Sequence, residues 1–270
     1  MPSAEAGASA PPAASRLTSR VVPAASLSPS ELRRLFTLYA ANYDETDFPR
    51  FAADLAEKDW VILLQDSVDG SIRGFSTQKV LRARVDGRDL RAIFSGDTLI
   101  DPAYWGEQEL VRGWCRFAGR ILAEAPGEPL YWFLISKGHR TYLYLPLFFR
   151  AYWPRFDGPT PPDEQAVLDS LARAKFGAAF DPARGILRFD RSLGQLKPAL
   201  AEVPSGRRDD PRVRFFLQRN PGYARGEELV CLTIVSTANM RGLALRTLRE
   251  GLLEGPLGAR PGQLGRGAAC

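Results

Sequence analysis

One acid stands in the middle of an apolar run: Asp97, within Leu90 to Ile100 in the stretch Ile93-Phe94-Ser95-Gly96-Asp97-Thr98-Leu99-Ile100. A carboxylate in such a run is costly to bury without a partner. Two readings of it stand. One is a proton acceptor, which takes a proton directly or through water from a protonated amine. The other is a turn aspartate beside Gly96 that caps backbone N–H groups. Strand alternation would put Ser95, Asp97 and Leu99 on one face. The sole histidine, His139, sits in Gly138-His139-Arg140-Thr141; it is either a proton relay or, as expected, a solvent-exposed residue at a helix start. No Ser or Cys has the surroundings of a nucleophile elbow.

Other residue types close off whole classes of chemistry. Cys115, Cys231 and Cys270 include no CxxC pair, and the first two lie in apolar stretches, as reduced buried thiols do. One histidine argues against a His-based metal site. The net charge of +5, from 36 basic and 31 acidic residues, is mild, without the dense basic stripe interleaved with aromatics that nucleic-acid binding wants. Such an excess is usually a solvated face; if it selects partners, acidic ones come first, a carrier protein or phosphate-bearing cofactors ahead of nucleic acid. The most apolar stretch, Leu143 to Trp153, is broken by Pro146 and Arg150 and falls short of the ~20 residues of a membrane span. The start of the chain has neither the basic nor the apolar region of a secretory signal, so a cytoplasmic location is expected.

These residues need elements to hold them. Residues 1–26, rich in Ala, Ser and Pro, read as a disordered tail, and 251–270, rich in Gly, Pro and Arg, as a second loose tail. Ser28-Pro29-Ser30-Glu31 is a capping box with a first-turn proline. Leu32, Leu35, Phe36, Tyr39 and Tyr43 then follow at helical spacing. A second helix is expected from Asp47, with Phe48, Phe51 and Leu55 inward. Trp60 to Gln65, Gly74 to Val85 and Leu90 to Ile100 predict an antiparallel meander, with turns at Asp69-Gly70 and Asp86-Gly87, the latter of the type I′ kind. Leu110, Trp114, Phe117, Ile121 and Leu122 line one face of a helix. Leu130 to Ile135 reads as a buried strand, followed by an aromatic-rich segment to Phe156. Beyond the prolines of 159–162, a helix from Glu164 to Phe176 and strands at Ile186 to Phe189 and Leu229 to Val235 are expected, with a long loop from Gly194 to Arg212. The fold class is therefore mixed α/β with a mostly antiparallel sheet, divided as a tail (1–26), a core (27–158), an extension packed on it (159–250) and a tail (251–270).

The order of two helices, three antiparallel strands, helix, strand and helix over roughly 28–156 resembles the GNAT superfamily of N-acyltransferases. The resemblance implies that the end of the strand at Leu99-Ile100 and the following turn hold the donor's phosphates on backbone N–H groups. In Asp101-Pro102-Ala103-Tyr104-Trp105-Gly106-Glu107-Gln108-Glu109-Leu110, Gly106 falls where such a turn has it. Trp105 stands where a basic residue is usual, Gln108 and Leu110 replace later glycines, and Glu107 and Glu109 add carboxylates. That departure points to a donor other than simple acetyl-coenzyme A: a longer acyl-coenzyme A, or an acyl chain on an acyl carrier protein.

The resemblance further implies that the strand ending at Ile135 splays from its neighbour to admit the donor's amide arm. Ser136 and Lys137 would then meet that arm or its phosphate. Tyr142, with Tyr144 as the fallback, would protonate the leaving thiolate, and Asp97 and His139 would handle the amine's proton. The donor would contact Leu99, Ile100, Trp105, Gly106, Gln108, Ile135, Ser136 and Lys137. The plain alternatives are that both tyrosines simply pack and that Ser136 and Lys137 are loop polars. The implied activity is transfer of an acyl group from a thioester to an amine of a small molecule or peptide, such as a natural-product intermediate, with no permanently bound cofactor and no metal. The alternative is a non-catalytic binding protein on the same scaffold. Most of the cluster Tyr142, Tyr144, Phe148, Phe149, Tyr152, Trp153 and Phe156 is expected in the core, with one or two members lining a pocket. The extension, including Phe215, Phe216 and Asn220 to Tyr223, would shape the acceptor side or close a sheet edge.

Overall fold

The computed structural model describes residues 15–189, 195–196 and 202–258. It opens on a strand, β1 (Leu17–Pro23), which pairs antiparallel along its whole length with residues 60–66. The disordered tail expected over 1–26 is thus wrong for its second half. The Ala, Ser and Pro around it hide a short run in which Leu17 and Val22 are buried on opposite faces of the sheet, with too little alternation to mark a strand. Residues 1–14 lie outside the described residues.

Local signals explain most of the later elements. Ser28 Oγ accepts from the Glu31 N–H at 3.2 Å and the Glu31 carboxylate accepts from the Ser28 N–H at 2.8 Å, which starts α1 (Pro29–Asn42). After β2 (Tyr43–Asp44), Asp47 caps α2 (Phe48–Ala56). The meander is β3 (Trp60–Asp66), β4 (Ile72–Val85) and β5 (Arg88–Ile100). Its second turn has φ of 48° at Asp86 and 78° at Gly87, the left-handed pair that a two-residue hairpin requires. Then come α3 (Glu109–Glu124), β6 (Leu130–Ser136), α4 (His139–Phe148) and α5 (Pro162–Phe176). The short strands β7 (Phe180–Asp181), β8 (Ile186–Leu187) and β9 (Gln195–Leu196) precede α6 (Pro211–Arg219), β10 (Glu228–Ile234) and α7 (Gly242–Glu254).

Two helices depart from the sequence-based expectation. The loop expected from Gly194 to Arg212 ends early, because Asp210 caps α6 by accepting from the Arg212 N–H at 2.8 Å; it also contains β9, which pairs with β2, while 190–194 and 197–201 lie outside the described residues. The tail expected from 251 begins four residues later, after α7. That helix starts at Gly242 without any side-chain cap, so no start signal marks it. Cys270 and residues 259–270 are also outside the described set.

The eight-stranded sheet has the order β1-β3-β4-β5-β6-β10-β8-β7. Every neighbouring pair is antiparallel except β5–β6. The extension therefore does more than pack on a core: β10, β8 and β7 belong to the same sheet. One face carries α1 and α2 over β3–β5 and α5 over β5, β6 and β10. The other carries α3 and α7. This is the mixed α/β architecture with a mostly antiparallel sheet that the sequence predicts.

Arg91 of β5, with no exposed surface, locks the parallel pair. Its guanidinium donates to the carbonyls of Ile121 at 2.7 Å and Ala125 at 2.9 Å, at the end of α3, and pairs with Glu128 at 2.9 Å. A cation at a helix C-terminus satisfies its orphan carbonyls, so strand, helix and return strand meet at one side chain.

α3 and α7 cross on glycine. A Cβ at Gly119 would lie 2.3 Å from the Leu248 carbonyl oxygen, and one at Gly251 would lie 2.1 Å from that of Arg116. Overpacking against rigid backbone typically costs ~1–3 kcal/mol. Gly251→Ala is expected to lose about 2 kcal/mol in urea denaturation; an unchanged midpoint would contradict this crossing.

Candidate functional site

β6 stays beside β5 for only five residues, Arg91 opposite Leu130 through Ser95 opposite Leu134. There β5 bulges. Gln78 of β4 faces Ser95 and Ser76 faces Thr98, so Gly96 and Asp97 together oppose the single residue Thr77. The extra residue bends the strand and switches its alternation. Ser95 therefore points to the α3 face, where its Oγ accepts from the indoles of Trp114 at 3.2 Å and Trp132 at 2.9 Å and donates to Gln78 at 2.7 Å. Leu99 lies on the α1/α2 face, packed with Phe51 and Phe75. The expectation of Ser95, Asp97 and Leu99 on one face fails because period-two reasoning has no term for a bulge.

Past the bulge the edge of β5 is open toward β6, and a cavity of about 280 Å³ runs through the gap. On one side it is lined by Tyr39, Tyr43, Asp54, Lys58 and Lys175, and on the other by Leu110, Val111, Trp114, Tyr144 and Phe148. Asp97 lies at its waist and also lines it. Among the described residues no hydrogen bond or ion pair ties down its carboxylate. Burial, with the Asp54 charge as a smaller contribution, pushes its pKa up to about 6, against the pull of Lys137 and Lys58. The second acid of the waist, Glu228 at the start of β10, is buried and is held by Lys137 Nζ at 3.5 Å; burial raises its pKa too. Lys137 Nζ also sits 5.2 Å over the Tyr43 ring. Lys58 reaches under Gly96 and binds Asp54 at 2.6 Å. Gly96 is a glycine because a Cβ there would lie 2.6 Å from Thr77 Oγ1 and 3.0 Å from Lys58 Cε.

The residues singled out in the sequence divide into those that reach the cavity and those that do not. Asp97, Ile135, Lys137 and the fallback Tyr144 line it. Tyr142 does not. It is fully buried, donates its hydroxyl to the Pro154 carbonyl at 3.0 Å and packs on Phe215 and Phe216, because helical spacing turns it a half-turn away from Tyr144. His139 is 2% exposed and away from the cavity, which corrects its reading as a surface residue at a helix start; burial, Arg140 and Arg207 keep its pKa low. Ser136 is likewise buried, against Cys231. Phe215, Phe216 and Tyr223 build core behind α4, so the extension's reach into the cavity comes from Lys175, Phe176, Phe189 and Glu228 instead.

The turn after β5 is braced from an unforeseen side. Glu107 pairs with Arg16 at 3.1 Å and Glu109 accepts from Ser19 Oγ at 2.6 Å, so β1 and the residue before it take up both carboxylates. The α3 start keeps its N–H groups uncapped by side chains, with Gln108 at the cap position. Trp105 is 47% exposed, donates its indole N–H to the Ile100 carbonyl at 3.1 Å and carries the Arg140 guanidinium 4.7 Å above its ring. Gly106, at φ 97°, makes the backbone turn between them. Leu99, Ile100, Trp105, Gly106 and Gln108, expected to contact a donor, do not line the cavity.

Comparison with solved structures finds distant likenesses. The chain is similar to a protein of unknown function from Enterococcus faecalis, described as a probable N-acyltransferase (15% identity, 51% of this chain and 36% of that one, TM-score 0.37). It is also similar to the GNAT family N-acetyltransferase YhbS from Escherichia coli, solved with coenzyme A (20% identity, 53% and 72%, TM-score 0.36), and to Arabidopsis thaliana NAA60, solved with a bisubstrate analogue (17%, 50% and 86%, TM-score 0.35). The chain spans little more than a third of the length of the E. faecalis protein. No protein-family model and no curated protein matches it. The site's chemistry therefore rests on this chain's own residues.

Tyr39, Tyr43, Lys58, Lys175 and Glu228 carried no sequence signal of a site. The two tyrosines occupy apolar positions of a helix pattern, and the others stand where solvated charges are ordinary. Asp97 alone broke its local pattern.

The free carboxylate of Asp97 has a thermodynamic consequence. Its pKa in the folded chain is above the unfolded value, so between about pH 4 and 6 the folded state holds more protons, and stability falls as pH rises through that window. At neutral pH the ionised group costs on the order of 2 kcal/mol, after allowing for its access to the cavity. Asp97→Asn is therefore expected to raise the melting temperature at pH 7.5 and to leave it unchanged near pH 3.5. Equal stabilisation at both values would mean that the charge is not the cause.

Proposed function

We propose that the chain is an N-acyltransferase that moves an acyl group from a thioester to an amine by direct attack. The observation that carries this is the cavity through the β5–β6 gap, with an unpaired carboxylate at its waist. The gap leaves β5 backbone groups beyond Ser95 open to an amide-bearing arm, which adds there as a short strand would. Entry is from the α3/α4 side, where the uncapped N–H groups at the α3 start and Arg140 suit the anionic end of coenzyme A or of a carrier-protein phosphopantetheine. With Glu107 neutralised by Arg16, the carboxylates of the turn repel that anion less than their number suggests. The apolar side of the cavity, from Leu110 to Trp114 and Phe148, has room for an acyl chain longer than acetyl.

The amine reaches the thioester from the side of α1 and α2. Asp97, ionised above about pH 6, accepts a proton from the ammonium form, and the free amine attacks the thioester carbon. The C–N bond forms and the C–S bond breaks. The departing thiolate takes a hydrogen bond and then a proton from the hydroxyl of Tyr144. The second proton of the attacking nitrogen, lost as the amide forms, passes through water to restore the phenol that burial favours, while Asp97 gives its proton to solvent. Fixed groups that need no reorganisation supply most of the acceleration in such a site.

The test is free-thiol release and intact mass with acyl-coenzyme A and acyl-carrier-protein donors of graded chain length against an amine pool. Acyl mass on an amine is the expected result; no transfer from any donor would leave only a binding protein. Where transfer is seen, kcat/KM should rise with pH through an apparent pKa near 6. Asp97→Asn should abolish that limb and lower kcat about 100-fold. Tyr144→Phe should lower kcat by more than tenfold, whereas a larger loss from Tyr142→Phe than from Tyr144→Phe would reverse their roles.

A further inference from the structure

The acceptor side of the cavity holds a cation with no function in acyl transfer itself. Lys175, in the last turn of α5, lines the cavity and is part-buried. Among the described residues it forms no ion pair and no side-chain hydrogen bond. Its Nζ lies 4.3 Å over the Phe94 ring and 5.4 Å from the Phe176 ring. The other cavity lysines are paired: Lys58 with Asp54 at 2.6 Å and Lys137 with Glu228 at 3.5 Å. A cation in a helix's last turn favours the helix dipole, but the dipole acts equally well on a side chain in water. Placing this one in the cavity, where burial and the charges of Lys58 and Lys79 lower its pKa by more than the charges of Asp54 and Glu57 raise it, is a cost that an anion bound at Nζ would offset.

Position along β5 indicates where that anion lies. Lys175 stands over Phe94, Lys58 reaches under Gly96, and the free carboxylate is at Asp97. Three residues of strand separate the first position from the last, about 10 Å or a little less across a bulge. Phe94, Phe176 and Phe189 form an aromatic wall at the Lys175 end, with Phe176 and Phe189 6.2 Å apart and Phe94 and Phe176 5.9 Å apart. A simple alkylamine would meet Asp97 and leave the lysine without a partner.

We infer that the acceptor is an amino acid of extended form, an ω-amino acid or a short peptide, whose carboxylate binds Lys175 while its amine lies at Asp97. This rests on the transferase reading for its direction of attack, but the two charges and the spacing between them stand apart from any turnover. An α-amino acid, whose amine and carboxylate share one carbon, cannot span the two groups.

Calorimetry without donor separates the two ideas. The probes are β-alanine, 6-aminohexanoate and alanyl-alanine, each beside its carboxamide. The wild-type protein should bind 6-aminohexanoate or alanyl-alanine about tenfold more tightly than the matching amide, as a charge-assisted bond to one lysine provides. Lys175→Met should bring that ratio close to one, and Lys175→Arg, which keeps the charge, should retain most of it. Equal affinity for acid and amide in the wild type overturns the proposal, as does a preference that survives Lys175→Met. Should the acids bind with this preference while no thioester transfers its acyl group to them, the acceptor site stands and the transferase reading falls. Should transfer proceed with no preference for the acid over the amide, the reverse holds.

Discussion

The parallel contact between β5 and β6 is five residues long, and the candidate site exists because of where it ends. One end is held shut by Arg91, whose guanidinium joins β5 to the last turn of α3 and to Glu128 at the entry to β6. A buried arginine that serves two helix carbonyls and a carboxylate tolerates little displacement, since any shift leaves a charge or a carbonyl unpaired. The other end is held open by the Gly96–Asp97 bulge, which shifts the register with β4 by one residue and bends β5 where its pairing with β6 stops. Between a lock and a bulge the two strands must diverge, and the divergence is the cavity.

The same geometry explains the unusual carboxylate. A bulge places Asp97 where no cross-strand partner faces it, and Gly96 lets Lys58 pass beneath without reaching it. Lys58 and Lys137 are near enough to attract the charge, yet each is committed to another acid, Asp54 and Glu228. Burial thus outweighs attraction, and the pKa rises to about 6. A group tuned in this way costs stability and gains the ability to take up a proton near neutrality, a pairing of opposed effects common at sites that perform chemistry.

How much of this was legible in the sequence depends on the range of each signal. The capping box at Ser28, the Asp86-Gly87 turn and the apolar face of α3 are local, and they predicted their elements well. Asp97 was legible because it contradicted its surroundings. β1 was lost because seven residues of strand lie beside a Pro- and Ala-rich stretch, and α7 because nothing caps its start. Tyr144 reaches the cavity and Tyr142 does not, because two residues on a helix are about 200° apart, so an offset uncertain by that much cannot say which of them faces a cavity.

The long-range features were beyond any local reading. No spacing in the chain announces that Arg16 and Ser19 restrain Glu107 and Glu109, so those acids looked like a defect of the turn. With their partners in view they become struts between β1 and the start of α3, which hold the turn in place while leaving the helix N–H groups free. The departure from the usual glycines at 108 and 110 then has a structural counterpart, since Gln108 stands at the cap of α3 and Leu110 packs inward with Leu17 and Leu64. Trp105 and Arg140, stacked over the end of β5, complete that edge with a flat aromatic and a single cation in place of a glycine-lined cradle. A loop built in this way grips an anion at fewer points. On the proposed acyl transfer, donor affinity comes more from the arm within the β5–β6 gap and from the apolar wall of α3 than from the turn itself.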